Sequence, residues 1–112
     1  MDKVKPIRLN YKDEEYILEY SREAIVEAEE NGFKIAEVDE KPLTGVSNLF
    51  YYAFRKNHPD MTKDETDTIL TALGGLKGKE IERLGQLYNI PLETVVSIDE
   101  TPRKKSSATI SL

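Results

Sequence analysis

The apolar residues of the chain form a short alternating segment near the N-terminus and several longer segments with helical spacing. Residues 5–9 and 16–20 alternate apolar and polar positions, which is typical of strands with one buried face. The polar residues between them, 10–15, predict a hairpin whose loop is longer than two residues. Because an isolated hairpin is marginally stable in water, its apolar face must pack on helices.

A short acidic helix is predicted directly after the hairpin, over about residues 22–30. Ser21 is a suitable N-cap, and the first turn carries a glutamate, which the positive end of the helix dipole favours. Asn31-Gly32 then supplies a left-handed stop. Residues 33–43 mix apolar and acidic positions, and they are interpreted as a connector with a short helical or extended piece.

The most apolar segment, residues 43–57, predicts a helix that is capped by Thr44 and ends at His58-Pro59, since the residue before proline avoids the helical region. At about 100° per residue, aromatic side chains at positions 50, 51, 52 and 54 cannot share one face. The helix is therefore packed from both sides within the domain, or one side is covered by another subunit or a client. Tyr51 and Tyr52 are the candidates for such a binding face, because a tyrosine ring is apolar while its hydroxyl can stay hydrated.

Two shorter helices complete the predicted domain. Thr62 and Glu65 fit a capping box at the start of the first, and Gly74-Gly75 ends it. The second spans about residues 79–89 and is broken at Asn89-Ile90-Pro91.

These elements predict an α+β fold that is mostly α-helical, with an N-terminal β-hairpin packed on about four helices. A single domain is expected over residues 1–96. Residues 97–112 hold little that could be buried, and they are interpreted as a flexible C-terminal tail.

The composition excludes several classes of function. A net charge of −5 opposes binding to a phosphate backbone, so no nucleic-acid partner is expected. No apolar run approaches the ~20 residues that span a bilayer, so no membrane partner is expected either. The chain has no cysteine and a single histidine, His58, which leaves no thiolate nucleophile and no histidine pair. We therefore expect no catalytic residues, no metal site and no cofactor, and the protein is not expected to be an enzyme.

The charge is unevenly distributed along the chain. Residues 1–41 carry 7 positive and 12 negative side chains, whereas residues 42–96 carry 6 and 7. Two interpretations fit the excess of negative charge in residues 1–41. It forms a solvated helix face, or it forms an acidic lobe that steers a basic partner.

Residues 79–98 also resemble a helix-turn-helix, with a small residue at Gly85, a turn at Asn89-Ile90-Pro91 and Thr94-Val95 in a second short helix. The second helix carries no arginine or lysine, although contacts to bases and phosphates both favour cations. A DNA-binding regulator therefore stays an alternative to a protein-binding function.

The order of these elements is similar to that of a known family. A hairpin (IRLNYKDEEYILEYS), a glutamate-rich helix that ends in Asn31-Gly32, an aromatic helix (NLFYYAFRKNHP), a capped helix (MTKDETDTILTALGG) and a last helix (LGQLYN) follow one another. This resembles the small tail assembly chaperones of long-tailed bacteriophages and prophages of Gram-positive bacteria. The resemblance covers about residues 5–96 and is strongest over 49–59 and 61–75.

The resemblance implies a non-enzymatic function in viral morphogenesis. Such chaperones bind the tape measure protein, a long and largely helical polypeptide, and keep it soluble until tail tube protein polymerises around it. They act in the cytoplasm of the bacterial host and are absent from the mature virion. Homo-oligomerisation is also expected, because wide apolar helices often pair with themselves. A generic protein–protein adaptor of a prophage is a further alternative.

The partner-binding residues that follow from the wide apolar helix and the last helix are aromatic or aliphatic. They are Phe50, Tyr51, Tyr52, Phe54 and Leu87.

Overall fold

The computed structural model describes residues 4–96 and 110–112. Its elements are β1 (Ile7–Tyr11), β2 (Glu14–Leu18), α1 (Arg22–Glu30), α2 (Glu37–Glu40), α3 (Pro42–Tyr52), α4 (Lys63–Leu73) and α5 (Gly78–Leu92). The α+β, mostly helical fold that the sequence predicts is confirmed, with the four-residue α2 as a fifth helix. Of the predicted C-terminal tail, residues 97–109 lie outside the described residues, and residues 110–112 form neither helix nor strand.

The hairpin is tighter than its sequence suggests. β1 and β2 pair antiparallel with Tyr11 opposite Glu14, so only Lys12 and Asp13 form the loop. Both residues have positive φ, 50° and 64°, as the two-residue type I′ turn requires. The prediction of a longer loop is wrong because Lys-Asp lacks the glycine that usually marks such a turn.

The turn after α3 packs against the outer edge of β2. The backbone N–H of Ile17 donates to His58 Nε2 at 2.9 Å, and the side-chain amide of Asn57 donates to the Ile17 carbonyl at 3.1 Å. The N–H of Glu19, just beyond the strand, donates to the Ala53 carbonyl at 3.1 Å. Side chains and one carbonyl therefore replace a third strand along this edge.

These contacts explain why α3 ends at Tyr52 and not near residue 57, as the apolar pattern predicts. In a continuing helix the Ala53 carbonyl would accept from the N–H four residues later. Here it accepts from Glu19 instead, and residues 53–57 form turns. The start of α3 also differs: Pro42 occupies the first turn and Lys41 is the N-cap, so the predicted cap at Thr44 is wrong.

The predicted ends of α1 and α4 are confirmed. The Ser21 hydroxyl accepts from the Ala24 N–H at 3.0 Å, and Gly32 leaves α1 at a φ of +86°. Thr62 and Glu65 form the reciprocal capping box at 3.0 and 3.1 Å. Gly74 then ends α4 in the left-handed region. Local sequence is sufficient at these ends because each cap bonds within its own helix.

The predicted break at Asn89-Ile90-Pro91 is wrong. α5 continues through Pro91 to Leu92, so the turn that a helix-turn-helix needs is absent at this position. Pro91 lies in the last turn, where its missing N–H removes a single helical bond.

The hairpin and helices α1, α3, α4 and α5 enclose one core around α3. Its largest fully buried side chains are Phe50, Phe54, Leu18, Leu49, Leu84 and Thr66. The hydroxyl of Tyr20 donates to the Leu49 carbonyl at 2.6 Å and so joins the end of the hairpin to α3. The width of the aromatic helix is therefore explained by packing from both sides within the domain.

Gly45 allows α2 to approach α3 closely. A Cβ at this position would lie 2.2 Å from the backbone carbonyl oxygen of Glu37, far inside van der Waals contact. Among the residues that the structure describes, Gly85 in the middle of α5 has no such neighbour within 4 Å. Gly45 and Gly85 thus have opposite roles, and Gly85 does not mark a close helix crossing.

We predict that Gly45→Ala lowers the free energy of unfolding by about 1–3 kcal/mol, because backbone must shift to admit the methyl group. Gly85→Ala serves as the matched control and is expected to stabilise by about 0.5–1 kcal/mol through helix propensity. Urea unfolding followed by circular dichroism measures both, and equal effects of the two changes would contradict this role of Gly45.

We also predict that His58→Ala lowers the free energy of unfolding by about 1–3 kcal/mol, because the Ile17 N–H loses its acceptor. Hydrogen exchange of the Ile17 amide should accelerate in this variant. Lys56→Ala is the control, since its ion pair with Glu19 lies at the surface and contributes little. Unchanged exchange at Ile17 would show that His58 does not close the strand edge.

Candidate partner-binding surfaces

Four of the five predicted partner-binding residues lie in the core. Phe50, Tyr52, Phe54 and Leu87 are all buried. The rings of Phe50 and Phe54 meet edge to face at 5.0 Å between centroids, and Tyr52 packs near Phe33 at 6.0 Å. Their apolar surface is therefore covered within the domain.

Tyr51 is the predicted residue that stays partly exposed. The Arg55 guanidinium lies 5.7 Å from the centre of its ring, and Arg55 Nε pairs with Glu27 Oε1 at 3.0 Å. The hydrogen bond to Glu27 raises the pKa of Arg55 above its usual value. Tyr51 therefore lies beside the ion pair of Arg55 and Glu27, and it is not part of an apolar groove.

An apolar cleft opens elsewhere, between the segment after α1 and the C-terminal half of α5. Its volume is ≈ 420 Å³, and its apolar walls are Phe33, Ile35, Tyr88 and Leu92. Ile35 is 40% exposed, and the next residues beyond α5 include Val95 and Val96, each 59% exposed. Apolar surface is thus concentrated around this end of α5.

The stop signal of α1 creates one wall of the apolar cleft. The Phe33 N–H donates to the Ala28 carbonyl at 2.9 Å, which turns the chain back across the helix end. Phe33 then packs against the ring of Tyr88 at 6.0 Å between centroids. The sequence predicts only a connector at Phe33, because the pattern of residues 33–43 does not show which element they face.

Burial controls the ionisation of two tyrosines near the cleft. Desolvation raises the pKa of Tyr88 to about 12, with smaller contributions from the Glu29 carboxylate and Tyr52. Desolvation and the neighbouring Tyr88 also raise the pKa of Tyr20 well above its usual value. The two rings meet edge to face at 5.0 Å between centroids.

A basic groove lies at the other end of α5, between β1 and the first turns of the helix. Its volume is ≈ 570 Å³, and its cations are Lys5, Arg8, Lys79 and Arg83. Pro6, Ile7 and Ile17 supply its apolar lining, and Glu80 is the carboxylate on its wall. The sequence does not predict this basic groove, because residues 5–8 lie in the acidic third of the chain and come close to residues 79–83 only when the chain is folded.

The described part of the chain shows no group of three or more histidine, cysteine, aspartate or glutamate residues that could hold a metal ion. None of its helices is both long and apolar enough to span a membrane.

The family model of a domain of unknown function, DUF5055, matches residues 1–112. The chain belongs to the DUF5055 family. No curated protein and no solved structure matches it. The apolar cleft and the basic groove are two surfaces of this DUF5055 protein that its geometry offers for binding.

We predict that the DUF5055 protein loses stability between about pH 10 and 12. An unfolded tyrosine ionises near its usual pKa of 10.0, whereas Tyr88 keeps its proton in the fold to about 12. Ionisation of Tyr88 therefore leaves the free energy of unfolding unchanged below pH ~10. Above that pH the unfolded state releases the tyrosine proton first, and the free energy of unfolding falls by roughly 2–3 kcal/mol.

The comparison of wild type with Tyr88→Phe isolates this effect from the ionisation of lysines and arginines. Urea unfolding at several pH values should show a smaller loss for Tyr88→Phe than for wild type. The same loss in both proteins would contradict the burial of a titrating Tyr88.

Proposed function

We propose that this DUF5055 protein is a non-enzymatic tail assembly chaperone that binds unassembled tape measure protein before the tail tube polymerises. The resemblance of residues 5–96 to such chaperones supports the proposal. The structural observation that carries it is the apolar cleft at the C-terminal end of α5, bordered by further exposed apolar residues.

The cleft is suited to the apolar stripe of a helical client. A long amphipathic polypeptide that awaits its tube exposes such stripes and aggregates through them. Ile35 and Leu92 offer aliphatic contacts at the cleft walls, while Glu29 and Lys34 at its border stay hydrated and keep the chaperone soluble. A small contact area favours weak and reversible binding, so tube subunits can displace the chaperone by competition.

The proposal assigns client binding to the cleft and leaves Tyr51 as a secondary candidate. Phe50, Tyr52, Phe54 and Leu87 are buried in the core, and their truncation is expected to destabilise the domain. A DNA-binding regulator has less support, because α5 is continuous through residues 89–91 and Gly85 lies at no close crossing. A prophage adaptor for another protein is consistent with the same cleft.

The test is co-expression with a tape measure protein of a long-tailed bacteriophage. Ile35→Asp and Leu92→Asp place a carboxylate in the cleft, and each should remove most of the co-purifying tape measure protein and lower its soluble yield. Leu43→Asp is the matched control, because Leu43 is 91% exposed and lies outside the cleft lining. This control should bind like wild type.

Circular dichroism verifies that each variant is folded. A folded Leu92→Asp that still binds would move the client site away from the cleft. Failure of the wild-type protein to bind or solubilise the tape measure protein would remove the chaperone proposal itself.

A further inference from the structure

The outer face of α1 carries an acidic stripe with an apolar centre. Glu23, Val26, Glu27 and Glu30 are spaced at i, i+3, i+4 and i+7, which places them on one side of the helix. They line one shallow surface depression together with Arg22. Val26 is 45% exposed in the middle of the stripe.

The basic groove has the opposite charge. Its lining combines the apolar residues Pro6, Ile7 and Ile17 with the four cations named above. Glu80 is already engaged, since its Oε1 accepts the Lys77 N–H at 2.7 Å.

Most of the charges of both surfaces are unpaired within the described residues. Of the four groove cations, Arg8 alone forms an ion pair there, with Glu15 at 3.1 Å at the exposed surface. On the stripe, Glu27 pairs with Arg55, whereas Glu23 and Glu30 have no cation of residues 4–96 or 110–112 within ion-pair distance. Like charges therefore lie close together on each surface and repel one another. Contact with a surface of opposite charge would relieve this repulsion.

We propose that the basic groove of one copy of the chain binds the acidic stripe of a second copy. Val26 would contact the apolar lining at Ile7 and Ile17, while Glu23 and Glu30 face the cations. The two glutamates are seven positions apart, about 10 Å along the helix, so they can reach cations on both sides of a central valine. The groove and the stripe are opposite in charge, and both include apolar residues.

The geometry of this contact is heterologous, because the two surfaces share no residue. Each copy that uses its groove still offers its stripe, so assembly continues into a ring or a filament unless two copies dock reciprocally. The contact uses neither wall of the apolar cleft, so it does not depend on the proposed chaperone function.

Sedimentation of the full-length protein tests the contact. At low ionic strength the weight-average mass should rise with concentration above the 12.8 kDa of one chain. At about 1 M salt, where the Debye length is about 3 Å, the apparent dissociation constant should rise at least about tenfold.

Two charge-reversal variants make the test specific. A groove variant, Lys79→Glu with Arg83→Glu, and a stripe variant, Glu23→Lys with Glu30→Lys, should each stay monomeric, since all four side chains are exposed and their exchange leaves the core intact. When the two variants are mixed, the intact groove of the stripe variant meets the intact stripe of the groove variant. The mixture should therefore associate, although neither variant does so alone.

Lys12→Glu with Lys41→Glu is the control for net charge, because it adds the same negative charge outside the groove and should self-associate like wild type. A wild-type protein that stays monomeric at low salt would overturn the proposal. Self-association that survives in both charge variants, or variants that do not form a complex when mixed, would also overturn it. Binding of a nucleic acid to the groove of a monomeric protein would replace the second copy by another occupant.

Discussion

The fold depends on how the outer edge of β2 is closed. A two-stranded hairpin is marginal by itself and leaves one row of backbone groups unpaired on each side. Here the turn after α3 supplies His58, Asn57 and the Ala53 carbonyl to that edge. The same turn removes the last residues of the aromatic segment from the helix. The hairpin is therefore joined to the central helix by hydrogen bonds as well as by apolar packing.

This junction determines which aromatic side chains are available at the surface. Because α3 lies between the hairpin and the other helices, its wide apolar surface is used inside the domain. Phe54 packs edge to face with Tyr16 of β2 at 5.5 Å, and Tyr20 bonds to the Leu49 carbonyl. An aromatic run in a small domain is thus weak evidence for a binding face, since a single core needs large side chains at its centre.

The sequence was sufficient wherever an element is decided by its own residues. The Ser21 cap, the Thr62–Glu65 capping box and the glycines at 32 and 74 all act within one helix end, and each was predictable. The Lys12-Asp13 turn and the early end of α3 were not, because strand pairing and a tertiary hydrogen bond override the local preference. Neither the apolar cleft nor the basic groove was predicted, for a related reason: each combines segments that are far apart in the chain.

The position of the two surfaces on α5 bears on how the protein could act. The basic groove includes Lys79 near the start of the helix, and the apolar cleft includes Leu92 at its end, about 20 Å further along at 1.5 Å per residue. One surface is dominated by charge and is therefore sensitive to salt, whereas the other buries apolar groups and is much less so. A client helix in the cleft leaves the groove accessible, so self-association and client binding need not compete. Copies joined through the groove would present a row of clefts, and a row of weak sites binds a long repetitive polypeptide more tightly than one site does.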